Sequence, residues 1–568
     1  MRRLVRMGRS TRREFLKRGA VLAAGGSSAA IGLGRLSERL LAADASATNE
    51  PSDSLQNFAT GGRQGIACVR REPAEAARDI LRQGGNAVDA ACSALLVLFV
   101  IEPSMTGVGG YGGTMVMYDA KGGRVRTIDS TTRAPRRFDL SKFDAKSANH
   151  GYRAVGVPGN LAGIILALHQ HGTMPFTGVA QAATGLAENG FPVLPKLSKE
   201  FSGLVTDIDP TSRRAYFPNG VPATGAIWKQ PDLARLLKRL GDEGPESFYK
   251  GEIAAIICKQ VQANGGRLAE DDFHDFEATS SEPLHITYRG YDLYTPTLPS
   301  AGLTSLSTLK TLEQFDLSKL EPWGAEYYAL LVDAMTLAWG ERDRYFGDPD
   351  FVKVPIERLL SEENAKANAA KIRSGDVPPA QKVSEASHTV NVVVADKDQN
   401  IVSWTATHGN DFGSHVAIEG LGLMLGHGMS RFDSPPSSPN YPAPRKRPQH
   451  NMSPVVVLKD GKPVAGLGLP GGTKIVNVTT QMASNFIDFH ADAEKIVSAP
   501  RLHTEGRDPV QVSAKMSDEV IAALEKKGHK VRRFPTVGGN ANAILIDQQS
   551  GELQAAAGAP ADHGVILF

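Results

Sequence analysis

A run of β-branched residues that follows a polar, linker-like segment constrains the fold of this chain more than any other stretch. Residues 390–395 and 401–407 predict two buried strands, and the five residues between them carry turn-forming side chains. A turn of that length places Thr389 opposite Thr407 in an antiparallel hairpin. Residues opposed in this way have Cβ atoms roughly 5 Å apart. The pattern therefore predicts two hydroxyl groups side by side where the linker becomes a strand.

Thr389 has two interpretations on this local pattern. Threonine is common in strands, so an ordinary structural residue fits. The preceding residues 361–387 are charged, then contain two prolines, then are polar, which predicts an exposed linker. Cleavage before Thr389 would free an α-amino group with a pKa of about 7.7–8.0, which can accept the proton of its own hydroxyl. A strand residue and an N-terminal nucleophile are both open at this point.

Composition narrows the function classes. The 568 residues include 63 Lys and Arg against 61 Asp and Glu, so the near-zero net charge gives no argument for nucleic acid or an anionic membrane as a partner. Cys68, Cys92 and Cys258 are odd in number and widely spaced, unlike a disulfide framework, zinc site or iron–sulfur site. The five histidines between residues 388 and 450 also lack metal-ligand spacing. We predict no metal and no cofactor.

The N-terminus resembles a twin-arginine export signal. Arg12 and Arg13 precede Phe15-Leu16-Lys17, a glycine- and alanine-rich run over residues 19–34, and small-residue cleavage sites near residues 43–47. The apolar run is too short and glycine-rich for a stable membrane anchor. We predict export of residues 46–568 to the periplasm or medium, with residues 1–45 removed.

Helical and strand patterns are interleaved along the rest of the chain. Helices are predicted at residues 74–83 and, capped by Asn86, at 87–101; a long helical region follows over 159–240. The glycine-rich residues 102–113 match a dinucleotide fingerprint formally, but they lead into a strand, which favours tight packing. Further strands are predicted at residues 280–294, 452–459, 463–469, 541–547 and 552–556. This order predicts helices layered around sheets.

The turn at Pro470-Gly471-Gly472-Thr473 leads from a predicted strand into a predicted helix. Such a turn presents backbone N–H groups, which suits either a plain turn or an oxyanion site.

Several motifs, in the same order, resemble the γ-glutamyltransferase (γ-glutamyltranspeptidase, glutathione hydrolase) family. The resemblance runs from about residue 62 to the end of the chain. The shared motifs are Gly84-Gly85-Asn86-Ala87-Val88-Asp89-Ala90-Ala91, Glu102-Pro103 with its glycine loop, Val157-Pro158-Gly159, Gly347-Asp348-Pro349, Asp396-Lys397-Asp398, Lys446-Arg447-Pro448, Met452-Ser453-Pro454 and Pro470-Gly471-Gly472.

The resemblance implies an α+β fold, the four-layer αββα sandwich of the N-terminal-nucleophile hydrolases. It implies self-cleavage between His388 and Thr389 into a large subunit (46–388) and a small subunit (389–568) that stay together as one intertwined domain. Thr389 would be the nucleophile, and Thr407 its hydrogen-bonding partner. Gly471 and Gly472 would hold the oxyanion. The implied substrate is a small γ-glutamyl or related amide.

The positions that read the glutamyl group in the family are changed here. Thr131 stands where the family has the arginine that grips the substrate α-carboxylate, with Arg133 two residues later. In the small subunit the corresponding positions hold Gly409, Gly428, Arg431, His450 and Asn451. Arg431 replaces an acidic partner of the substrate ammonium and would repel that group.

Two functions follow. The first is a self-processing γ-glutamyltransferase-like hydrolase or acyltransferase, including an acylase for a non-glutamyl amide. The second is an unprocessed exported scaffold or binding protein of the same fold. The sequence leaves open the acyl substrate, the choice of water or amine as acceptor, and the oligomeric state.

Overall fold

The structure is a computed structural model that describes residues 57–140, 143, 148–379, 388–558 and 564–568. The predicted export signal and the polar linker at 381–387 lie outside the described residues. The charged first part of the segment predicted to be an exposed linker forms the helix Glu362–Ser374.

Sheet 1 contains the hairpin that begins near Thr389 and is antiparallel throughout. Its strands lie in the spatial order Val565–Leu567, Gly65–Cys68, His388–Ala395, Ile401–Gly409, Gly112–Asp119, Arg124–Asp129 and Thr279–Ser281.

Sheet 2 is also antiparallel and lies against the inner face of sheet 1. Its order is Asn57–Thr60, Leu553–Ala557, Asn542–Ile546, Lys462–Gly468, Val455–Lys459, Tyr291–Thr295 and Leu284–Tyr288. A buried apolar layer that includes Val116, Val393, Ile401, Val456 and Ile544 fills the space between the two sheets. The segment after residue 388 supplies strands to both sheets, so neither sheet is complete without it.

One layer of helices covers the outer face of sheet 1. These helices are Arg71–Arg82, Ala87–Ile101, Asn160–His171, Phe176–Asn189, Pro195–Asp207, Pro210–Tyr216, Pro231–Glu243, Glu252–Ala263 and Glu270–His274. Ala87–Ile101 is buried along its whole length, as expected of a helix that is apolar on all sides. The Asn86 side chain accepts hydrogen bonds from the N–H groups of Val88 and Asp89, which confirms the predicted cap.

A second layer of helices covers sheet 2. It contains Gly302–Leu312, Ala325–Tyr345, Ile356–Leu359, Glu362–Ser374, Lys474–Asp488, Ala493–Ser498 and Asp518–Lys526. Small strand pairs and short 3₁₀ turns complete the described structure: Phe191–Pro192 with Ile227–Trp228, Val416–Ile418 with Leu423–Leu425, the trio Leu502–His503, Val510–Ser513 and Val531–Phe534, and the turns Pro245–Phe248, Leu317–Lys319 and Gly428–Arg431. The four layers form the predicted αββα sandwich.

The differences from the sequence prediction lie at element ends and in short elements. The first helix begins at Arg71, so Pro73 is its third residue and not its first; the first-turn N–H groups have no intrahelical acceptor, so proline is tolerated there. Residues 420–428 are predicted to be irregular, but Leu423–Leu425 pairs with Val416–Ile418.

Within the described residues, no helix combines the length and the apolar character needed to cross a membrane.

Candidate active site

The hairpin brings Thr389 and Thr407 together at one end of sheet 1. The predicted register holds from Val390, which pairs with Ala406, through to the turn. Next to Thr389 the ladder shifts by one residue, and His388 pairs with Gly409. Thr389 therefore lies in a bulge and not in a regular pair with Thr407, a correction to the simple register. Bulges re-aim side chains, and here the Thr389 hydroxyl still donates to the Thr407 oxygen at 3.2 Å.

The Thr407 hydroxyl is itself fixed by the backbone. Its oxygen accepts a hydrogen bond of 2.7 Å from the N–H of Gly409. Both threonine side chains are buried, with 3% exposure at Thr389 and 1% at Thr407. A buried hydroxyl with a fixed partner keeps one orientation, which is what a nucleophile on a rigid strand needs.

Polar contacts within sheet 1 and from sheet 2 stabilise this end of the hairpin. Asn391, two residues after Thr389, donates to the carbonyl oxygen of Trp404 at 3.0 Å and to the Thr405 hydroxyl at 3.1 Å. From sheet 2, the Asn542 side chain donates to the backbone oxygen of Asn391 at 2.9 Å. These buried contacts stabilise the start of strand His388–Ala395 from both sides.

The glycine turn approaches the same place from sheet 2. A Cβ on Gly468 would lie 2.3 Å from the Asn391 side chain, so this strand passes directly beside the nucleophile strand shortly before Gly471 and Gly472. Gly471 has a φ of +139° and Gly472 a φ of +64°, values that favour glycine. Neither N–H donates a hydrogen bond to a described residue. The turn then enters helix Lys474–Asp488, so it offers backbone donors to a developing negative charge.

The glycine-rich loop before Gly112–Asp119 serves packing. A Cβ on Gly110 would lie 2.1 Å from the Asn160 side chain, and one on Gly112 would lie 2.4 Å from the backbone oxygen of Ser130. Such contacts leave no room for side chains, which confirms the tight-packing interpretation.

Thr131 lies against the hairpin, and its hydroxyl donates a hydrogen bond within the protein. Its backbone lies against Gly112, which is the strand partner of Thr407. The Thr131 hydroxyl and N–H both donate to one oxygen of Asp129, at 2.6 and 2.8 Å. The other oxygen of Asp129 accepts from Arg447 at 3.2 Å. Arg447 also donates to Asp348 at 2.7 Å.

At Gly409 and Gly428, neighbouring side chains fill the space in which a Cβ would lie. A Cβ on Gly409 would lie 2.3 Å from the ring of His427, and one on Gly428 would lie 2.2 Å from the Thr132 methyl group. Gly409 also has a φ of +101°. Burial, followed by the positive charge of Arg431, lowers the pKa of His427 well below its usual value.

The remaining changed positions, Arg431, His450 and Asn451, lie with Arg342 in a group of side chains with buried polar nitrogens, which we call the recognition cluster. Arg342 donates to the Asn451 side-chain oxygen at 2.8 Å. The second Arg342 terminal nitrogen, the Asn451 amide nitrogen, the Arg431 Nε and both His450 ring nitrogens are buried and find no hydrogen-bond partner among the described residues. Burial, mainly, lowers the pKa of His450 to about 4, so its ring is neutral near pH 7.

The site residues predicted from the sequence differ in which contacts the structure gives them. The structure brings Thr389, Thr407 and Gly409 into direct hydrogen-bonded contact and carries Thr131 to the same strand pair. It joins Asn451 to a residue that the sequence does not single out, Arg342. Arg133 is half-buried, and its backbone oxygen accepts from Val157 at 3.4 Å.

Arg342 and Asp129 are the residues that sequence reasoning misses. Arg342 sits in the charged run Glu341-Arg342-Asp343-Arg344 at the end of helix Ala325–Tyr345, where a solvated face is expected. It is instead 4% exposed and stacks over Trp339 at 5.2 Å. Asp129 ends a strand two residues before Thr131, a spacing that could have indicated an Asx-type turn.

Similarity to known proteins agrees with this geometry. A profile of the gamma-glutamyltranspeptidase family matches residues 73–567. This chain belongs to that family. Members of the gamma-glutamyltranspeptidase family are N-terminal-nucleophile hydrolases and transferases, and the chain is an enzyme of that class.

Two curated relatives and one solved structure are similar over nearly the whole chain. The chain is 32% identical over 529 residues to the glutathione hydrolase proenzyme of Bacillus subtilis. This match covers 87% of this chain and 90% of that protein. It is 34% identical over 507 residues to the Acylase ACY 1 proenzyme of Pseudomonas sp. strain SE83, with 86% and 90% covered. The structure of a cephalosporin acylase from Bacillus halodurans superposes with a TM-score of 0.85 at 26% identity, covering 92% of this chain and 99% of that one.

Proposed function

We propose that the chain cleaves itself between His388 and Thr389 and then acts as an amide hydrolase or acyltransferase with Thr389 as its nucleophile. The observation that carries the proposal is the 3.2 Å contact between the buried hydroxyls of Thr389 and Thr407 at the start of a rigid strand. The large (46–388) and small (389–568) subunits remain one folded unit because both supply strands to sheets 1 and 2.

The reaction proceeds through an ester. The Thr389 oxygen attacks the amide carbonyl carbon while its proton passes to the new α-amino group. The N–H groups of Gly471 and Gly472 bind the oxyanion of the tetrahedral intermediate. The C–N bond then breaks, the amine leaves with the transferred proton, and the acyl group stays on Thr389. Water or an amine attacks this ester and restores the hydroxyl.

The acyl group is γ-glutamyl or a related carboxylic acid group. The relatives named as glutathione hydrolases favour the first, and those named as acylases favour the second. The replaced recognition positions, above all Arg431 and Thr131, favour an acyl group other than ordinary γ-glutamyl.

We further propose that the twin-arginine segment at residues 12–17 directs the folded protein to the periplasm or medium. Fusing residues 1–45 to a reporter that is exported only when folded tests this step. Replacing Arg12 and Arg13 with Lys should retain the reporter in the cytoplasm, and export of that variant would contradict the proposal.

Intact-mass spectrometry of the purified protein tests the processing step. The wild type should give two chains, the smaller beginning at Thr389, and Thr389→Ala should give one. Ser403→Ala is the matched control, since it removes a buried hydroxyl of the same hairpin that donates to Leu467 at 2.9 Å. A single chain in the wild type would contradict the proposed processing and the role of Thr389, and would favour the scaffold alternative.

A further inference from the structure

The glycine turn at residues 470–473, which we call the oxyanion turn, lies against a second glycine-containing loop. The Gly539 N–H donates to the carbonyl oxygen of Pro470 at 2.8 Å. A Cβ on Gly471 would lie 2.8 Å from the Gly539 nitrogen, and one on Gly539 would lie 2.7 Å from the Pro470 ring. The two backbones are in direct contact, so a displacement of residues 538–539 would also displace the oxyanion turn.

Arg501 is the side chain that fixes this loop. Its guanidinium donates to the carbonyl oxygens of Gly539 at 3.0 Å and Val537 at 3.5 Å. It also donates to the carbonyl oxygen of Val497, in the last turn of helix Ala493–Ser498. Burial lowers the pKa of Arg501 to about 10, so the group stays charged near pH 7. A charged donor shared between a helix end and the loop ties the loop to the helix layer over sheet 2.

His503, two residues after Arg501, contacts the other side of the oxyanion turn. Its ring is 2% exposed, and its Nε2 lies 3.4 Å from the hydroxyl oxygen of Thr473, the last residue of the turn. Its Nδ1 lies 3.0 Å from the side-chain nitrogen of Asn477, four residues further along helix Lys474–Asp488. The strand that carries His503 therefore runs along the first turn of the helix that the oxyanion turn enters.

The hydrogen-bond network fixes the tautomer of His503. Trp339 donates its indole N–H to the Asn477 side-chain oxygen at 2.8 Å, and an indole nitrogen can only donate. The Asn477 amide nitrogen therefore faces Nδ1 of His503, which must accept. Burial, against the opposing carboxylate of Glu505, lowers the pKa of His503, so the ring is neutral near pH 7 and carries its hydrogen on Nε2. This N–H faces the Glu505 carboxylate at 3.2 Å and the Thr473 hydroxyl oxygen at 3.4 Å.

We infer that His503 is a positioning residue for the oxyanion turn. Its Nε2–H fixes Thr473 on the helix side, while Arg501 fixes residues 537–539 on the loop side, so one short segment aligns the turn from both sides. The inference rests on the proposed function, in which the N–H groups of Gly471 and Gly472 bind the oxyanion. A donor that is aimed away from the developing charge lowers the rate but leaves ground-state binding of the substrate unchanged.

Two substitutions of His503 separate the Nε2–H from the rest of the ring. In His503→Gln the side-chain amide reaches the position of Nε2, whereas in His503→Asn the shorter amide reaches only the position of Nδ1 and keeps the contact with Asn477. The assay uses a γ-glutamyl or related acyl anilide that the enzyme turns over. We expect His503→Asn to lower kcat by about 10- to 100-fold with KM changed less than about twofold, and His503→Gln to keep most of kcat. An unchanged kcat in His503→Asn, or an equal loss in both variants, would overturn the inference.

Thr473→Val removes the oxygen that the Nε2–H contacts. It should lower kcat to a similar degree as His503→Asn, and the double variant should lose no more than either single variant, because both changes remove one contact. Thr480→Val is the matched control, since it removes a buried hydroxyl of the same helix that donates to Val476 at 3.0 Å, and it should leave kcat unchanged. Losses that add in the double variant would contradict the contact between His503 and Thr473.

Hydrogen exchange of the oxyanion turn separates the inference from the proposed function, since it needs no turnover. The peptide that contains residues 470–475 should exchange at least about tenfold faster in His503→Asn than in the wild type or His503→Gln. A processed, active enzyme whose turn exchanges equally in all three proteins would refute the role of His503 alone. A single unprocessed chain that shows the tenfold difference would refute the proposed function and support the positioning contact.

Discussion

The nucleophile hairpin and the recognition cluster differ in how their polar groups are satisfied. In the hairpin, Thr389 contacts Thr407, which accepts from Gly409, and Asn391 is bonded across both sheets. In the cluster, donors on Arg342, Arg431, His450 and Asn451 remain without acceptors among the described residues. The polar groups of the hairpin are satisfied within the protein, whereas these donors of the cluster are not satisfied by the described residues.

Under the proposed function, this contrast separates the part of the fold that carries the reaction from the part that holds the changed recognition positions. The hairpin is built from strands in the middle of sheet 1, where a shift of one residue would turn every side chain to the other face. The cluster comes from a helix end, a 3₁₀ turn and loops that tolerate replacement. In the proposed enzyme, the sheets would position the reacting groups and these loops would set the acyl specificity.

The largest effect is expected from disturbing the oxyanion turn. A Cβ at Gly471 would lie 2.8 Å from the backbone nitrogen of Gly539, so Gly471→Ala must shift the turn and its N–H groups. We expect kcat to fall by about 100- to 1000-fold.

Gly461→Ala is the control for that change, because Gly461 has a φ of +76° in open space. It should cost about 1–2 kcal/mol of stability without changing kcat. Equal loss of kcat in both variants would show that backbone strain, not oxyanion binding, is responsible.

The next effect concerns the hydroxyl beside the nucleophile. Thr407→Val keeps the shape but removes the oxygen that contacts Thr389 and Gly409, so the nucleophile loses its fixed orientation. We expect kcat to fall by about 10- to 100-fold. Thr405→Val, two residues earlier, removes a hydroxyl that accepts from Asn391 and should lower thermal stability while kcat is kept. If Thr405→Val lowered kcat and Thr407→Val did not, the assignment of the catalytic contact to Thr407 would be wrong.

A smaller effect is expected from Asn451→Asp. Under the proposed function the new carboxylate would pair with Arg342 and compete with a substrate carboxylate, so KM for an acyl anilide that the enzyme turns over should rise by about tenfold with processing retained. The exposed Asn264→Asp serves as the control for adding one negative charge. An unchanged KM in Asn451→Asp would remove Arg342 from substrate binding.

The smallest effect is on stability against pH. The pKa of His450 is lowered from 6.5 to about 4, so between these values the unfolded chain binds a proton that the folded chain does not. The contribution of the neutral His450 ring to the free energy of unfolding is therefore fully present above about pH 6.5 and is lost as the pH falls toward 4. His408 and His415, with pKa values lowered to about 3 and 4, act in the same direction.

Melting temperatures measured from pH 7 to pH 4 check this dependence. His450→Gln should show a shallower decline than the wild type, whereas replacement of the exposed His169 should not. A wild-type melting temperature that is flat over this range would contradict the neutral, buried state of the ring.

Strand order in the hairpin and the contact between its two threonines were predictable because turn length and β-branched runs act locally. The bulge at Thr389 was not, since it depends on the pairing of His388 with Gly409 beyond the regular ladder. Arg342 could not be predicted either. Its burial comes from packing over Trp339 and from contact with Asn451, more than 100 residues away in the chain.

The position of Thr131 shows the same limit. The family resemblance places it at the position of a substrate-binding arginine, and the structure adds that Asp129 already accepts its hydroxyl and N–H. Comparison with the family's motifs identifies the positions at which this chain has a different residue. Only the structure shows which groups those residues contact.

The central claim is an acyl–Thr389 ester in a chain cut before that residue. Rapid acid quenching of the processed protein with a γ-glutamyl or related acyl anilide that it turns over, followed by intact and peptide mass spectrometry, tests it directly. We expect the small chain to gain the mass of one acyl group on the peptide that begins at Thr389. An adduct on any other residue, or turnover by a chain that is not cut before Thr389, would contradict the account.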